Sequence, residues 1–388
     1  MPVKILVVDD EPDLEVLIRQ KFRRQIRNDE FRFVFAQNGV EALQKLEENA
    51  DIEIVLTDIN MPEMDGLSLL VRLNELNLLL KAVIVSAYGD MENIRTAMNR
   101  GAADFLTKPI DFQDLEITVN KTLKQLQVLK EAVQTHDQLL AIRHELEIAS
   151  NIQQAILFRT FPAFPERKDF DLFAAMLPAR EVGGDFYDFF LIDNDRLGFV
   201  IGDVSGKGVP AAIFMAMSRT LLKATALAGA RPAECLQRVN RVLCLDNSSE
   251  MFVTVFYGIL DTRTGAIEYG NGGHNPPYLL RANGEIEALE STGGMVLGAI
   301  EDVSYRSKTV ALRPGDSIFL YTDGITEAMD GAGELFSDGR LRAFLGKLND
   351  SPPAEIVRAV VDEVKRYSAA VAQSDDIAAV AIKYAGGG

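Results

Sequence analysis

A stretch of sequence without proline or glycine divides this chain into two parts of different character. It runs from about Leu115 to Ile156 and is rich in Leu, Gln, Glu and Lys, which predicts one long helix. The chain has 388 residues, more than one hydrophobic core usually organises, so we expect folded domains on both sides of the helix. We predict domains at 1–120 and 159–384, a helical connector at 121–158, and a tail at 385–388 without assigned function.

The first part alternates short apolar runs with helical patterns. The apolar runs are Ile5–Val8, Phe33–Phe35, Ile52–Leu56, Ala82–Val85 and Asp104–Leu106. Runs of this kind are typical of parallel strands that are buried on both faces. We therefore predict a doubly wound α/β domain with a parallel sheet of five strands.

The second part alternates strands with Gly, Asn and Pro turns and has fewer helices. The predicted strands are Leu197–Ile201, Phe252–Leu260, Tyr278–Arg281 and Ser317–Tyr321, and the predicted helices are Pro210–Leu227, Pro232–Leu245 and Pro353–Tyr367. This order of elements predicts an α+β domain.

The charge balance and composition exclude several classes of protein. Acidic residues outnumber basic ones by 57 to 40, and the net charge of -17 disfavours binding to nucleic acid. No run approaches the ~18 apolar residues that span a bilayer, and the start lacks the apolar region of an export signal. The two cysteines, Cys235 and Cys244, have no metal-binding spacing and suggest a reducing compartment. We predict a cytoplasmic protein that binds no membrane.

Polar residues stand where the predicted parallel strands end. They are Asp9 and Asp10 after the first strand, Asp58 after the third, Ser86 after the fourth and Lys108 after the fifth. Ligands of parallel α/β sheets gather at this edge. Two carboxylates suit Mg²⁺, a third suits attack on phosphorus, and a lysine with a hydroxyl suits the developing oxygen charge. Each residue alone fits a helix cap or a strand end, but their joint placement predicts phosphoryl transfer.

Residues 1–120 resemble the receiver domain of two-component response regulators. The matching residues are Val7-Val8-Asp9-Asp10-Glu11, Asp58-Ile59-Asn60-Met61-Pro62-Glu63-Met64-Asp65-Gly66, Ser86-Ala87 and Lys108-Pro109. The resemblance implies that Asp58 accepts a phosphoryl group from a sensor histidine kinase or a phosphotransfer protein. It also implies that Asp10 and the backbone of Asn60 join the Mg²⁺ shell, that Phe105 is an aromatic switch residue, and that the Lys108–Pro109 bond is cis.

Four acidic motifs are scattered over the second part. They are Gly183-Gly184-Asp185, Gly202-Asp203-Val204-Ser205-Gly206, Thr322-Asp323-Gly324 and Ser374-Asp375-Asp376. So many carboxylates in one site would repel one another unless cations compensate them. Oxygen ligands alone favour Mg²⁺ or Mn²⁺, and two such ions would activate a water and hold a phosphoryl group. Single Asp-Gly pairs are often only turns, and we assign the nearby His274 a structural role.

The order of these motifs resembles the SpoIIE or RsbU type of PPM (PP2C-like) serine/threonine phosphatase, over residues 145 to 384. Gly206-Lys207-Gly208-Val209-Pro210-Ala211-Ala212, Gly272-Gly273-His274-Asn275-Pro276-Pro277 and Ile152-Gln153-Gln154 also fit. The resemblance implies a layered β-sandwich flanked by helices, two Mn²⁺ or Mg²⁺ ions, and phosphorylated anti-anti-sigma (STAS) proteins as substrates.

The same resemblance implies roles for single residues. Asp203 would bridge the two ions, and the Val204 carbonyl and Asp185 would be further ligands. Asp323 would hold the second ion and Asp375 would complete the first, although the sequence leaves open whether Asp375 or Asp376 binds. Arg180 is a candidate phosphate contact.

The connector carries an apolar seven-residue repeat that suggests a homodimer. The repeat is Val119, Leu126, Val133 and Leu140, and a second stripe from Leu139 to Ile156 follows slightly out of register. We expect phosphorylation of Asp58 to control the phosphatase through this connector, with helix Pro210–Leu227 as one route to the Asp203 loop. The sequence leaves the direction of control open.

Two other functions are compatible with parts of the sequence. One is a phosphatase-shaped adaptor that has lost catalysis and controls a sigma or anti-sigma factor by binding, but the retention of four acidic motifs argues against it. The other is a nucleotide cyclase, because Gly183-Gly184-Asp185-Phe186 resembles the hairpin of diguanylate cyclases. That match is only four residues long, and Phe186 stands where a glutamate is expected.

Overall fold

The chain folds into two compact units, Met1–Ala141 and Ile142–Gly388. The structure is a computed structural model that describes residues 2–76, 78–87, 90–158, 160–245 and 247–386. Residues 387 and 388 of the predicted tail lie outside this part. No helix of the described residues is long and apolar enough to cross a membrane.

The first unit contains a parallel five-stranded sheet in the order β2-β1-β3-β4-β5. Its elements are β1 Val3–Val8, α1 Pro12–Lys21, α2 Arg23–Arg27, β2 Phe31–Ala36, α3 Gly39–Glu48, β3 Ile52–Asp58, α4 Gly66–Glu75, β4 Lys81–Ala87, α5 Met91–Asn99, β5 Asp104–Lys108 and α6 Phe112–Ile156. Alternate residues of β1 enter separate apolar clusters, since Leu6 and Val8 lie in one and Ile5 and Val7 in the other. Both faces of the sheet are therefore covered, and the predicted doubly wound fold is confirmed.

The long helix α6 has 45 residues and begins as part of the first unit's core. Leu115, Val119 and Leu126 are each 1% exposed, and the first two pack in the same cluster as Ile5 and Val7. The first two positions of the predicted dimer repeat, Val119 and Leu126, are therefore buried within the single chain, while Val133 and Leu140 are exposed. The predicted domain boundaries remain predictions, although Leu126 lies six residues beyond the first of them.

The second unit is a sandwich of two antiparallel sheets with orders β13-β10-β9-β8-β7 and β12-β11-β14-β15-β6. Its elements are β6 Phe170–Leu177, β7 Phe186–Leu191, β8 Arg196–Val204, α7 Val209–Leu227, α8 Pro232–Leu245, β9 Val253–Asp261, β10 Ala266–Gly272, β11 Tyr278–Leu280, β12 Ile286–Ala288, β13 Lys308–Ala311, β14 Ser317–Tyr321, α9 Asp323–Thr326, α10 Ser337–Leu345, α11 Pro353–Tyr367 and β15 Ile377–Tyr384.

Helices cover the outer faces of both sheets, and β14 shows how. Ile318 and Leu320 face the other sheet, where they share a cluster with Phe199 and Phe256. The alternate residues Phe319 and Tyr321 face outward into a cluster formed with α10 and α11. Helices α7 and α8 cover the first sheet in the same way. The predicted β-sandwich flanked by helices is confirmed.

Candidate functional sites

In the first unit, the polar residues at the strand ends come together at one edge of the sheet. The Lys108 Nζ atom lies 2.6 Å from Asp58 Oδ2, 3.0 Å from Asp9 Oδ2 and 3.1 Å from Glu11 Oε1. Asp9, Asp10 and Asp58 each offer an oxygen within 4.8 Å of the others. The predicted convergence of three carboxylates and a lysine is therefore present in the structure.

The charges at this edge support a divalent cation. Burial raises the pKa of Asp9, although the Glu11 N–H and Lys108 partly offset the increase. Burial lowers the pKa of Lys108, but its hydrogen bonds to Asp58, Asp9 and Glu11 raise it more, so the lysine stays charged. Asp9 Oδ2 is buried and lies 3.0 Å from the charged Lys108 Nζ. A hard cation with oxygen ligands fits this donor set.

The other residues predicted for this site take more peripheral positions. Ser86 is buried, and its hydroxyl donates to Asp90 Oδ2 at 3.4 Å. Asn60 is exposed on the loop that follows β3, and Phe105 is exposed to 38%. An exposed Phe105 can still turn inward, as expected of the switch residue. The Lys108–Pro109 bond is cis, as predicted.

Gly66 explains why the sequence motif after Asp58 contains an Asp-Gly pair. A Cβ atom on Gly66 would lie 2.0 Å from the Asp58 carbonyl oxygen. The preceding Asp65 caps α4 by accepting from the Ser68 N–H at 2.6 Å. The glycine therefore lets α4 begin directly against the residue that is predicted to accept phosphate.

In the second unit, the four acidic motifs meet between the ends of the two sheets. Asp185 is 1% exposed, precedes β7 and accepts the Thr322 hydroxyl at 2.6 Å. Asp203, near the end of β8, is within hydrogen-bonding reach of Asp185. Asp323 begins α9, directly after Thr322. Among the described acidic groups, only the trio of the first unit offers three carboxylate oxygens, one from each residue, within 4.8 Å of one another, so the second unit's carboxylates form a looser set.

Burial and mutual repulsion raise the pKa values of these carboxylates, and the repulsion favours the binding of cations. Burial raises the pKa of Asp185 strongly, and the charges of Asp203 and Asp376 raise it further. Burial, followed by the charge of Asp323, raises the pKa of Asp203 to about 7. Burial, Glu327 and Asp375 raise the pKa of Asp323. Divalent cations would relieve this repulsion, and a set made only of oxygens fits Mg²⁺ or Mn²⁺.

The two neighbouring aspartates before β15 have different surroundings. Asp376 is buried, and its two oxygens accept the N–H groups of Ala179 and Gly184, each at 2.7 Å. Asp375 is half-buried, and its Oδ2 forms an ion pair with Lys207 at 2.9 Å. Because backbone donors already occupy Asp376, Asp375 has the freer carboxylate, and its role as the metal ligand remains a prediction.

Close backbone packing brings the Val204 carbonyl and Arg180 to the same region. A Cβ atom on Gly184 would lie 2.8 Å from the Val204 oxygen, so this glycine leaves room beside the proposed ligand. Arg180 is exposed and directly follows Ala179, whose N–H binds Asp376. Its position is compatible with a phosphate contact.

Lys207 is a residue of this site to which sequence reasoning alone assigns no role. It stands between Gly206 and Gly208, whose φ angles of +84° and +80° place both in the left-handed region. Besides its ion pair with Asp375, it donates a short hydrogen bond to the Ser374 carbonyl. The Gly-Lys-Gly run was the signal in the sequence, since glycines allow the loop to return a cation to the acidic site.

His274 connects the two sheets beside the acidic set. Its Nε2 lies 3.1 Å from the Tyr321 carbonyl, and its Nδ1 lies 2.8 Å from the Thr254 hydroxyl. Burial lowers the pKa of His274 to about 4, so the ring is neutral, donates through Nε2 and accepts through Nδ1. Thr254 pairs with Asp203 across β8 and β9, and Tyr321 ends β14 near Asp323. His274 therefore links β9, which pairs with the strand of Asp203, to β14, which ends just before Asp323.

We expect His274→Ala to destabilise the second unit by about 1–3 kcal/mol, because it removes the ring donor of the Tyr321 carbonyl and leaves the Thr254 hydroxyl only its longer contact with the Asp203 carbonyl at 3.4 Å. Urea unfolding measures this loss. The control is His144→Ala, which removes an exposed imidazole from α6. Equal unfolding midpoints for the two variants would contradict the proposed link between sheets.

Comparison with known proteins supports the assignment of the first unit. The family model of the response regulator receiver domain matches residues 5–120. Chemotaxis protein CheY of Bacillus subtilis (strain 168) is 31% identical over 123 residues, which cover 32% of this chain and 99% of CheY. The chain belongs to the response regulator family.

The second unit of this response regulator matches phosphatases. The family model of Stage II sporulation protein E (SpoIIE) matches residues 193–385. Phosphoserine phosphatase RsbU of Bacillus subtilis (strain 168) is 34% identical over 187 residues, which cover 48% of this chain and 54% of RsbU. The structure of the SiaA-PP2C domain of Pseudomonas aeruginosa has a TM-score of 0.56 and 25% identity, and covers 63% of this chain and 98% of that domain. The chain spans about half the length of the curated relatives that it matches over this unit.

Proposed function

We propose that this response regulator is a metal-dependent protein serine/threonine phosphatase whose activity is controlled by phosphorylation of Asp58. The observation that carries the proposal is the mutually repelling set of the buried Asp185 and the half-buried Asp203 and Asp323, in a domain that is similar to a phosphoserine phosphatase. Such a set is stable only with cations or protons. Two divalent cations would relieve the repulsion and also suit phosphoester hydrolysis.

In the receiver domain, the residues at the sheet edge have separate roles in phosphoryl transfer. Asp58 attacks phosphorus through a carboxylate oxygen, and Asp9, Asp10 and the Asn60 backbone hold Mg²⁺ beside it. Lys108, already 2.6 Å from Asp58 Oδ2, neutralises charge on the transferred group together with Ser86. Phe105 then moves inward with Ser86. The phosphoryl donor is a sensor histidine kinase or a phosphotransfer protein.

In the phosphatase domain, Asp203 would hold both of two Mn²⁺ or Mg²⁺ ions. The Val204 carbonyl, Asp185 and Asp375 would hold one of them, and Asp323 would hold the other. Bound there, the ions supply an acidified water and offset the charge of the phosphoryl oxygens. Asp203, with its pKa raised to about 7 by burial and Asp323, can hold a proton near neutral pH when no ion is present.

The proposed substrate is a phosphorylated anti-anti-sigma protein of the STAS type, in a cytoplasmic setting. The support is the similarity to RsbU, whose name describes a phosphoserine phosphatase. We also propose a homodimer that forms through the exposed part of α6. That part includes Val133, Leu139, Leu140 and Ile142, with exposures between 37% and 60%.

The test is to incubate the full chain with a phosphoserine-bearing STAS protein and Mn²⁺, with and without beryllofluoride as a phosphoryl mimic on Asp58. We expect phosphate release that requires Mn²⁺ or Mg²⁺ and that changes at least several-fold with the mimic. An adaptor would bind its partner without metal and release no phosphate. Equal rates with and without the mimic would remove the regulatory part of the proposal and leave the enzymatic part intact.

A further inference from the structure

The last turn of α6 is hydrogen-bonded to the segment that carries Asp185. The Gln153 Nε2 atom donates to the Gly183 carbonyl at 2.6 Å, and the Gly183 N–H donates to Gln153 Oε1 at 3.0 Å. Gln153 is 6% exposed, so water competes little for the groups that form these two hydrogen bonds. A single side chain therefore satisfies both backbone groups of Gly183, two residues before Asp185.

Gly183 in turn packs closely against the acidic site, where there is no room for a side chain. A Cβ atom on Gly183 would lie 2.2 Å from Asp376 Oδ2. The following Gly184 N–H donates to the same oxygen at 2.7 Å. No side chain fits at position 183, and a displacement of the 183–184 backbone would alter the hydrogen bond to Asp376.

Two further contacts fix the end of α6 to the strand after Asp185. The Tyr187 hydroxyl donates to the Phe158 carbonyl at 2.7 Å. Leu157, which follows the last residue of α6, packs in the same apolar cluster as Phe186. Residues 153–158 and 183–187 thus pack together on both sides of Asp185. Among the residues that the structure describes, Gln153 alone bonds to both backbone groups of Gly183.

We propose that Gln153 is a positioning residue of the phosphatase site. Its amide sets the backbone of the 183–185 segment and thereby the places of Asp185 and Asp376. It is also the point at which a displacement of α6 reaches the metal-binding side chains, and this regulatory half rests on the proposed function. The route is shorter than the one through α7, because it needs a single side chain between the connector and the site.

The amide group matters because it is both a donor and an acceptor. A glutamate at this position keeps an oxygen for the Gly183 N–H but loses the donor, and it sets a carboxylate against the Gly183 carbonyl. Alanine loses both bonds. The series Gln153, Gln153→Glu and Gln153→Ala therefore removes the contact in steps.

The first experiment needs neither metal nor activity. Hydrogen exchange of the metal-free full-length protein, read by mass spectrometry, should be at least tenfold faster across residues 179–185 in Gln153→Ala than in the wild type. The matched control is Gln154→Ala, since the Gln154 side chain bonds back to Ser150 within α6. Unchanged exchange in Gln153→Ala, or equal changes in the two alanine variants, would overturn the positioning role.

The second experiment measures Mn²⁺ binding by calorimetry, and kcat and KM with a phosphoserine protein. Loss of a residue that orients metal ligands typically weakens metal affinity about 10- to 100-fold, and we expect this range for Gln153→Ala with KM for the protein substrate nearly unchanged. Beryllofluoride should shift the Mn²⁺ affinity of the wild type and of Gln154→Ala, and should shift it less in Gln153→Ala. A full response in Gln153→Ala would overturn the regulatory half.

The proposed function and the positioning role of Gln153 can fail independently of each other in these experiments. If the wild type neither binds Mn²⁺ nor releases phosphate, the proposed function fails, while the exchange comparison still decides the role of Gln153. If Gln153→Ala does not fold, Gln153→Glu carries both measurements, because it retains the acceptor and the length of the side chain. Exchange and Mn²⁺ affinity equal to those of the wild type in a folded Gln153→Glu variant would then reject the proposal.

Discussion

Replacing Asp203 by asparagine should abolish phosphate release, with a loss of at least about 10³-fold in kcat/KM. The bridging carboxylate touches both proposed ions, and metal ions contribute several kcal/mol of transition-state stabilisation. Each ~1.4 kcal/mol corresponds to about tenfold in rate. The measurement is phosphate release from a phosphoserine protein at saturating Mn²⁺.

The same substitution should stabilise the metal-free protein at neutral pH. The pKa of Asp203 is raised to about 7 by burial and by Asp323, so the folded chain keeps a proton that the unfolded chain releases near pH 4. The stability linked to this group is therefore present in acid and is lost as pH rises from about 4 through about 7. Thermal melts should show a higher Tm for Asp203→Asn than for the wild type above pH 7 without metal, and Mn²⁺ should reverse the order.

The control for both effects is Asp302→Asn, the same change at an exposed loop residue. It should leave turnover and the melting curves unchanged. Retention of more than a tenth of wild-type turnover in Asp203→Asn would show that this carboxylate does not bridge catalytic metals. If the Tm of metal-free Asp203→Asn were lower than that of the metal-free wild type above pH 7, the acidic side chains would not repel one another as proposed.

Asp58→Asn should prevent stable phosphorylation of the receiver domain altogether. The asparagine amide is not a nucleophile for phosphorus, and the substitution also removes the negative charge that lies 2.6 Å from Lys108 Nζ. Acetyl phosphate or a cognate kinase, followed by phosphate-affinity electrophoresis, should give a shifted band for the wild type only. Phosphatase turnover of the variant should no longer respond to beryllofluoride.

Asp114→Asn provides the comparison, because Asp114 is exposed in the first turn of α6 and lies away from the sheet edge. This variant should be phosphorylated like the wild type. A shifted band of equal intensity in Asp58→Asn would mean that another residue accepts the phosphoryl group. The assignment of this sheet edge would then have to change.

The site of the receiver domain could be predicted because it depends on local rules. Parallel strands place their carboxyl ends at one edge, so Asp9, Asp58 and Lys108 had to approach one another once the strands were recognised. The apolar runs identified all five strands. No distant contact was needed to foresee the arrangement.

The features that could not be predicted from the sequence depend on long-range contacts. Strand β7 was missed because Asp188 interrupts its apolar run, yet Asp188 is 1% exposed and forms ion pairs with Arg219 at 2.8 Å and Lys223 at 3.2 Å from α7. A buried carboxylate is tolerated only with such partners, and no local pattern shows them. Likewise, Val119 and Leu126 have the same spacing whether they pack within a unit or against a second copy.

The pairing of β15 with β6 has a consequence for the order of events during synthesis. Ala379 of β15 lies opposite Ala175 of β6 in the register, and the Gly184 N–H reaches Asp376, 192 residues further along the chain. The strand that pairs with β6 thus leaves the ribosome long after β6 itself. A nascent chain should be able to accept a phosphoryl group on its finished receiver domain well before its hydrolytic centre can exist.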